Sequence, residues 1–348
     1  MSLILKTEHF TLLDHRKHTL CLYEKVKSDG HVSNLGLLLR LFSILSQDNK
    51  TVRRKRCHEE IKAHDETLLV REQFKRFLLE ISFEVKNELT KKYNVLNTHA
   101  VRDLAQELHK STIFAFSGMN GGNNLDVPLK CKIMDNYFLI PSNSRFLCGC
   151  VKEQCLKLKG NKYDIVVADP PWWNKYIRRL KGANDKLSYS MMYNEDIASI
   201  PVRDLLSPNC LIAMWCTNSP SNISAVKDLI FPSWGVEYVT TWYWLKVTVD
   251  LEPVCAFSGG SKKQPYERII LGKVGEVLDL PDSHLVVSVP SALHSHKPPL
   301  LDILSQYVKS THRPQVLELF ARYLLPNTTS VGYEPLKWQH ISLYEEVT

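Results

Sequence analysis

One short segment brings together a carboxylate, two prolines and two tryptophans: DPPWW, residues 169–173, directly after the apolar run YDIVVA. The prolines fix their own φ angles and favour extended backbone at the residues before them, so the segment is stiff. It presents the Asp169 carboxylate, a Pro170 carbonyl that we predict is unpaired, and the aromatic face of Trp172. These groups suit a flat base that carries an exocyclic amine.

Two acceptors can take both hydrogens of that amine and draw the nitrogen lone pair out of conjugation, while the aromatic ring stacks on the base. The amine nitrogen thereby becomes a usable nucleophile. The alternative is that the prolines end a strand and the tryptophans fill a core, because four-residue patterns recur by chance. The polar residues downstream suit phosphates but are equally typical of a solvated face: Asn174, Lys175, Arg178, Arg179 and Lys181.

The elements that position this segment are short β-rich runs separated by helices and turns. The runs are NYFLI, YDIVVA, CLIAMWC, VEYVTTWYWLK, RIILG, HLVVSV, VLELF and TSVGY. Several are continuous apolar runs, which indicates strands covered on both faces. The pattern of residues 298–308 predicts a helix that crosses between parallel strands. The pattern therefore predicts an α/β fold with a mostly parallel sheet. Asp169 follows one strand directly, and ligands of open α/β sheets gather at the carboxyl ends of strands.

The first part of the chain has a helical pattern. Apolar residues recur at three- and four-residue steps over 66–93 and again over 98–110, and SNLGLLLRLFSIL is apolar enough for a buried helix. The glycines and asparagines of SGMNGGNNLD then favour turns. We predict a smaller helical N-terminal domain at 1–117, a linker at 118–128 and the α/β domain at 129–348.

Composition restricts the function classes. The 348 residues are 44% hydrophobic and 23% charged, which is typical of a globular protein. No apolar run approaches the roughly 18 residues of a membrane span, so we expect no membrane contact. Nine scattered cysteines and no signal segment favour reduced thiols inside the cell. The net charge of +7 makes polyanions acceptable partners.

Over roughly residues 133–345 the chain resembles the adenine-N6 methyltransferases that carry a DPPW signature. Besides DPPWWNK, the matching segments include SIPVRDLLSPNCLIAMWCTN, PSWGVEYVTTWYWLK, KKQPYERIILG, VVSVPSALHSHKPPLLDIL and LELFAR, in the family's order. The resemblance implies a Rossmann-like methyltransferase domain. It also implies transfer of the methyl group of S-adenosyl-L-methionine to adenine N6.

The resemblance also implies roles for individual residues. The target-amine element is Asp169, Pro170, Pro171 and Trp172, and Asp169 also lies near the methionine end of the cofactor. Asn174 and Lys175 extend this element, and we expect Lys175, Arg178 and Arg179 at the substrate entrance. Lys297 corresponds to the lysine that pairs with the cofactor carboxylate, and Glu318 and Arg322 correspond to residues that line the rest of its pocket.

Two positions depart from the family pattern. Cys150 stands where the family has an acidic residue, and Tyr333 stands where an asparagine is expected near the cofactor ribose. Both changes favour weaker cofactor binding. We expect no metal site, because His294, His296 and CGCVKEQC lack the paired ligand spacing of zinc sites. The cofactor's sulfonium is already an electrophile, so the transfer needs no metal.

Three functions fit these observations. The first is methylation of RNA, with 2′-O-methyladenosine in small nuclear RNA as the target that the resemblance implies. The second is methylation of duplex DNA, which requires base flipping. The third is a catalytically silent RNA-binding subunit that retains the fold. We expect a monomer or a weak oligomer that is located in the nucleus and also in the cytoplasm. The basic run RRKR at 53–56 is a nuclear import signal, an RNA contact or a solvated run. We also expect the region up to Ser117 to pack on the catalytic domain and to contribute RNA surface.

Overall fold

The computed structural model describes residues 3–28, 30–43, 65–93, 101–112, 116–173, 191–258, 263–309 and 313–347. Its strands are β1 Leu3–Lys6, β2 Phe10–Leu13, β3 Val26–Ser28, β4 His31–Ser33, β5 Leu35–Leu37, β6 Asn120–Asn123, β7 Leu129–Ile133, β8 Asn136–Ile140, β9 Ser144–Cys148, β10 Tyr163–Ala168, β11 Leu206–Cys216, β12 Glu237–Lys246, β13 Tyr266–Val274, β14 Leu285–Ser288, β15 Val316–Leu319, β16 Thr328–Gly332 and β17 Tyr344–Glu346.

The helices are mostly short. They are α1 His15–Leu22, α2 Asp65–Glu80, α3 Phe83–Tyr93, α4 Val101–Ser111, α5 Val151–Lys157, α6 Asn194–Ala198, α7 Pro220–Ala225, α8 Phe231–Trp234 and α9 Leu301–Leu304. A π-helical turn, Val226–Ile230, joins α7 to α8, and 3-10 turns lie at Leu39–Phe42, Val202–Leu205, Ser305–Tyr307, Lys337–Gln339 and Ile341–Leu343. None of the helices in the described ranges is both long and apolar enough to span a bilayer.

Eleven strands form one sheet in the order β1-β2-β14-β12-β13-β11-β10-β15-β16-β9-β6. Six of its ten strand pairings are parallel, so the predicted α/β fold with a mostly parallel sheet is confirmed. β10 lies between β11, which follows it in the chain, and β15, which returns much later. The strand order therefore reverses at β10, which is where ligands of such sheets bind.

Apolar side chains cover β10 on both faces. Val166 and Ala168 pack into one buried cluster, and Ile165 and Val167 pack into another on the opposite face. The continuous apolar run YDIVVA arises from this double burial. The predicted crossover helix at 298–308 is also present, as α9 followed by a 3-10 turn.

The first 43 residues differ from the predicted helical domain. β1 and β2 join the main sheet beside β14, and β5 pairs with β17. The predicted buried helix SNLGLLLRLFSIL is wrong, because its described residues, 33–43, contain the end of β4, β5 and a 3-10 turn. Its apolar residues are nearly continuous and show no three- and four-residue repeat. A short buried strand and a buried helix cannot be distinguished from such a run.

The other predicted N-terminal helices are confirmed. The 66–93 pattern forms α2 and α3, which are separate helices, and the 98–110 pattern forms α4. Phe77 of α2 packs edge-on against Phe10 of β2, with ring centroids 5.1 Å apart. This helix therefore covers one face of the main sheet, in the same buried cluster as Leu285 and Val287 of β14.

The predicted linker contains a strand. β6 pairs with β9 at the edge of the main sheet, where a Cβ on Gly122 would lie 2.2 Å from the backbone oxygen of Ser144. Glycine therefore permits an approach that any side chain would block. The division of the chain into domains stays a prediction.

Candidate active site

The site lies where β10, β11 and β15 end side by side. The segments that follow these strands carry Asp169, Asn218 and Arg322, and all three line a cavity of about 760 Å³. A second cavity of about 320 Å³ shares Asp169, Pro171, Met191 and Arg322 with the first. Asp169 therefore forms part of the wall between the two cavities.

Backbone hydrogen bonds hold the DPPW segment in place. The Trp172 N–H donates to the Pro170 carbonyl at 2.8 Å, and the Met192 N–H donates to the Pro171 carbonyl at 2.9 Å. Our prediction of an unpaired Pro170 carbonyl is therefore wrong, because a tight turn brings the next N–H back to it. A carbonyl has two lone pairs, so Pro170 keeps one acceptor position.

Trp172 is largely buried. Its side chain is 7% exposed, packs among Met214 and Cys216, and donates its Nε1–H to the Trp215 carbonyl at 3.1 Å. A large part of the ring therefore serves packing, although Trp172 also lines the large cavity.

Lys297 lies at the centre of a buried charge cluster. Its ammonium pairs with Glu267 and lies 3.6 Å from Asp169 Oδ1, and Lys246 also pairs with Glu267. Burial opposes the charge on Lys297, but Asp169 and Glu267 outweigh burial and raise its pKa. Burial likewise opposes ionisation of Glu267, yet the two lysines hold its pKa far below the usual range. Both groups therefore remain charged at neutral pH.

Ser295 fixes the carboxylate of Asp169. Its Oγ donates to Asp169 Oδ2 at 3.1 Å, and its backbone has a left-handed φ of 57°. Non-glycine residues rarely adopt this conformation, and such strain clusters at functional sites. Neither Ser295 nor Glu267 is among our predicted site residues. For Glu267 the available signal is a charged pair, Glu-Arg, placed inside the apolar run of β13.

Arg322 lines the cavities of the site, whereas Glu318 does not. Arg322 lines both cavities, and its Nη1 donates to His294 Nδ1 at 2.8 Å. Burial and the nearby Arg322 charge lower the pKa of His294 to about 4, so its ring is neutral and accepts this bond. Glu318 instead faces the crossover segment beside Val167 and Tyr323, in a void of about 10 Å³. The structure does not bring Glu318 to the lining of either larger cavity.

Glu318 is an acid in an unfavourable environment. Its Oε2 is covered by protein, and no group in the described part of the chain donates a hydrogen bond to it. Burial and the charge of Asp169 raise the pKa of Glu318 to about 8. The side chain is therefore mostly protonated at neutral pH.

The two departures from the family pattern lie together in the second cavity. Cys150 and Tyr333 both line it, and a side-chain hydrogen bond joins them. Burial and Cys150 raise the pKa of the Tyr333 hydroxyl. This cavity thus presents a thiol and a phenol where the resemblance led us to expect a carboxylate and an amide.

Helix α4 forms one wall of the large cavity through Arg102, Ala105, Gln106 and His109. These residues share one helix face, since they recur at three- and four-residue steps. Helix α4, within the region before Ser117, therefore packs against the site, as predicted. The contribution of this region to an RNA surface stays a prediction. The basic residues of this cavity in the described part of the chain are Arg102, His109, Lys246, Lys263, His294, Lys297 and Arg322.

The predicted substrate residues Asn174, Lys175, Arg178 and Arg179, and the RRKR run, lie outside the described residues. Their roles stay predictions. Within the described ranges, no group of three or more histidine, cysteine or acidic side chains is placed to hold a metal ion.

Comparison with known proteins identifies the domain that carries this site. The MT-A70 family model matches residues 163–334. N(6)-adenine-specific methyltransferase METTL4 of Homo sapiens is 39% identical over 235 residues, which are 64% of this chain and 48% of that protein. DNA N6-methyl methyltransferase of Caenorhabditis elegans is 40% identical over 214 residues, 59% of this chain and 55% of that protein.

A fungal relative is named for RNA. N6-methyladenosine RNA methyltransferase MTA1 of Cryphonectria parasitica is 32% identical over 214 residues, 60% of this chain and 62% of that protein. The chain spans about half the length of the METTL4 relatives, 48% in each case. The matched residues 163–334 begin with β10 and include Asp169, Lys297 and Arg322, so the chain carries a domain of the MT-A70 family.

Proposed function

We propose that the protein is an S-adenosyl-L-methionine-dependent adenine-N6 methyltransferase that acts on RNA, with 2′-O-methyladenosine of small nuclear RNA as its target. The observation that carries this proposal is the position of Asp169. It ends the central strand, forms part of the wall between two cavities, and lies 3.6 Å from the Lys297 ammonium. The Asp169 carboxylate thus borders two cavities, each of which has room for a ligand.

The residues present suit S-adenosyl-L-methionine. Glu267 has a second lysine partner in Lys246, so Lys297 is able to turn to a ligand carboxylate without leaving Glu267 unpaired. Arg322 lines both cavities, and Cys150 and Tyr333 offer polar contacts in the smaller one. When bound, the cofactor supplies an activated methyl group on a sulfonium.

The chain itself orients the amine. The Asp169 carboxylate, held by Ser295, and the remaining lone pair of Pro170 accept the two amine hydrogens. The nitrogen lone pair is then directed away from the ring and towards the methyl donor. Burial of Trp172 keeps this segment rigid. The chain therefore accelerates the transfer by orienting the amine, and not by forming a covalent bond with it.

The charges of the large cavity favour a nucleic acid. Arg102 and Lys263 add cations to a cavity that already contains the Lys297 cluster, and cationic side chains bind phosphates. DNA is the second candidate, since the Caenorhabditis elegans relative is named a DNA methyltransferase. We favour RNA because a DNA duplex requires base flipping before its adenine reaches the cavity.

The decisive experiment measures transfer of labelled methyl by the full chain to matched oligonucleotides. The substrates are RNA with adenosine, RNA with 2′-O-methyladenosine, and single- and double-stranded DNA of the same sequence. We expect N6-methylated product on nucleoside analysis, most with 2′-O-methyladenosine RNA. Product only on DNA would overturn the RNA proposal, and no product on any substrate would overturn the enzyme proposal.

We further propose a nuclear location with an additional cytoplasmic pool, since small nuclear RNA is reached in both compartments. Fluorescence microscopy of the tagged full chain tests this proposal. Exclusion of the protein from the nucleus would contradict it.

A further inference from the structure

A third cavity adjoins the large cavity at Trp172 and Thr217. It has a volume of about 440 Å³ and shares Trp172 and Thr217 with the large cavity. Its described lining is otherwise formed by aromatic and polar side chains and by one carboxylate, Glu195. These residues come from the segments after β10 and β11 and from the first turns of α6 and α7, with the residues just before those helices. Nothing in the proposed methyl transfer uses this cavity.

An aromatic pair forms one side of this third cavity. The rings of Trp173 and Tyr193 are stacked, with centroids 6.0 Å apart and an angle of 20° between the planes. Tyr193 is 57% exposed, so its stacked ring remains accessible to a ligand. Exposed aromatic rings beside a nucleic-acid site are typical platforms for unpaired bases.

The opposite side of the third cavity carries hydrogen-bonding groups. Asn222 is buried and donates its Nδ2 to Thr217 Oγ1 at 2.9 Å, which leaves its side-chain carbonyl oxygen as an acceptor. Ser219 and Ser221 are hydrogen-bonded to each other at 2.8 Å. These groups are fixed by their neighbours before any ligand arrives.

The charge of the described lining disfavours a phosphate and favours an amine. Glu195 contributes a carboxylate, and the lining within the described ranges contains neither lysine nor arginine. A phosphate would be repelled by Glu195. An exocyclic amine of cytosine, adenine or guanine would instead donate to the Glu195 carboxylate or to Asn222.

We propose that the third cavity binds the nucleobase next to the target adenosine, and that it prefers a neighbour with an exocyclic amine. This inference rests on the proposed function for the presence of a target base in the large cavity. Trp172 and Thr217 line both cavities, so the target base and its neighbour would occupy adjoining cavities. Such splaying of adjacent bases is the usual way in which single-stranded RNA is read.

The test measures binding, so that its failure is distinguishable from a failure of methyl transfer. The probe is a fluorescein-labelled single-stranded RNA with one adenosine between two cytosines, and the readout is the Kd from fluorescence anisotropy. Replacing one neighbouring cytosine by an abasic residue should weaken binding by the full chain about tenfold. Replacing it by uracil should weaken binding less.

Variants connect that effect to the third cavity. Tyr193→Ala should weaken binding of the cytosine RNA about tenfold and leave the Kd of the abasic RNA unchanged, whereas Tyr193→Phe should keep the wild-type Kd. Glu195→Gln should reduce the preference for cytosine over uracil. Tyr137→Ala removes an exposed tyrosine that lines none of the three cavities and should change neither Kd.

Equal weakening of both RNAs by Tyr193→Ala would overturn the proposal, as would an abasic RNA that binds as well as the cytosine RNA. Neighbour-dependent binding without any methyl transfer would keep the base site and refute only the proposed function.

Discussion

The proposed role of Asp169 depends on the ability of its carboxylate to accept a hydrogen bond, because the target amine has two hydrogens to donate. Asp169→Asn should lower methyl transfer about 100-fold or more, since an amide nitrogen donates where acceptance is needed. The fold should persist, because the Asp169 side chain is 22% exposed and contributes little apolar packing. Labelled methyl transfer together with the unfolding temperature measures both effects. Asp135→Asn is the control, since that carboxylate is 98% exposed. Near-normal transfer by Asp169→Asn would remove the amine-acceptor role.

Lys297 and Lys246 form a natural pair for comparison, because each of them pairs with Glu267. We expect Lys297→Ala to weaken S-adenosyl-L-methionine binding more than tenfold in calorimetry, since it removes the cation beside Asp169. Lys246→Ala also leaves Glu267 one lysine, but it keeps the Lys297 pair with Asp169, so it should reduce stability less and change cofactor affinity less. Equal affinities for the two variants would refute the assignment of Lys297.

Glu318 gives the protein a pH-dependent stability. Its pKa is about 8 in the folded chain, above its ordinary value, so the folded state holds a proton that the unfolded state releases. Stability should therefore fall as the pH rises from the ordinary glutamate pKa towards 8, and change no further above it. Glu318→Gln should remove this decline, which thermal unfolding in the absence of cofactor between pH 5 and about 9 would detect. An identical pH profile for both proteins would contradict the buried, unpaired carboxyl.

The DPPW element is the part of the site that could be predicted from sequence, because its residues are contiguous and follow an obvious strand. Glu267 and Ser295 could not be predicted in this way, since they reach Asp169 only through tertiary folding. The stacking role of Trp172 stays a prediction, and Trp172→Ala would also remove buried packing. Its effect on activity is therefore a poor measure of base stacking alone.

At the scale of elements, α4 combines a packing face and a cavity face. Leu108 is buried in the core, while Arg102 is exposed and lines the large cavity. Arg102→Ala should weaken RNA binding and reduce the salt slope of log Kd by about 1, because one phosphate contact is lost. Lys110→Ala is the matched control, since Lys110 lies on the same helix but outside that cavity. Titrations over a salt series distinguish them, and equal slopes would make Arg102 a solvated residue.

Elements were predictable wherever burial imposed a pattern. β8 and the strands from β10 to β16 follow the predicted apolar runs, and α2, α3 and α4 follow a clear three- and four-residue repeat. β9 is not among the predicted runs. β5 and β6 follow neither pattern. β6 consists of asparagine and glycine and is a strand only because β9 offers it hydrogen bonds. Pairing partners of this kind are distant in sequence, so local propensity does not reveal them.

At the scale of the whole molecule, the N-terminal segments are part of the sheet architecture. β2 pairs with β14, and Phe10, Phe74 and Phe77 cover the same buried cluster as Leu285. A truncated chain that begins at Leu125 should therefore unfold at a lower temperature or aggregate, because it exposes a sheet edge and an apolar face. Calorimetry and size-exclusion chromatography test this. A monomeric truncated chain with the full-length unfolding temperature would contradict it.

The pairing of β5 with β17 also affects how the protein is made. Leu39 donates its backbone N–H to Glu345 across 306 residues, so the native partner of β5 is synthesised long after β5 itself. At ribosomal rates of about 5–20 residues per second, β5 waits roughly 15–60 s for that partner. Contacts of such high sequence separation slow folding. A nascent chain of this protein therefore carries an unpaired β5 edge through most of its synthesis, and we expect chaperones that shield such edges to bind it.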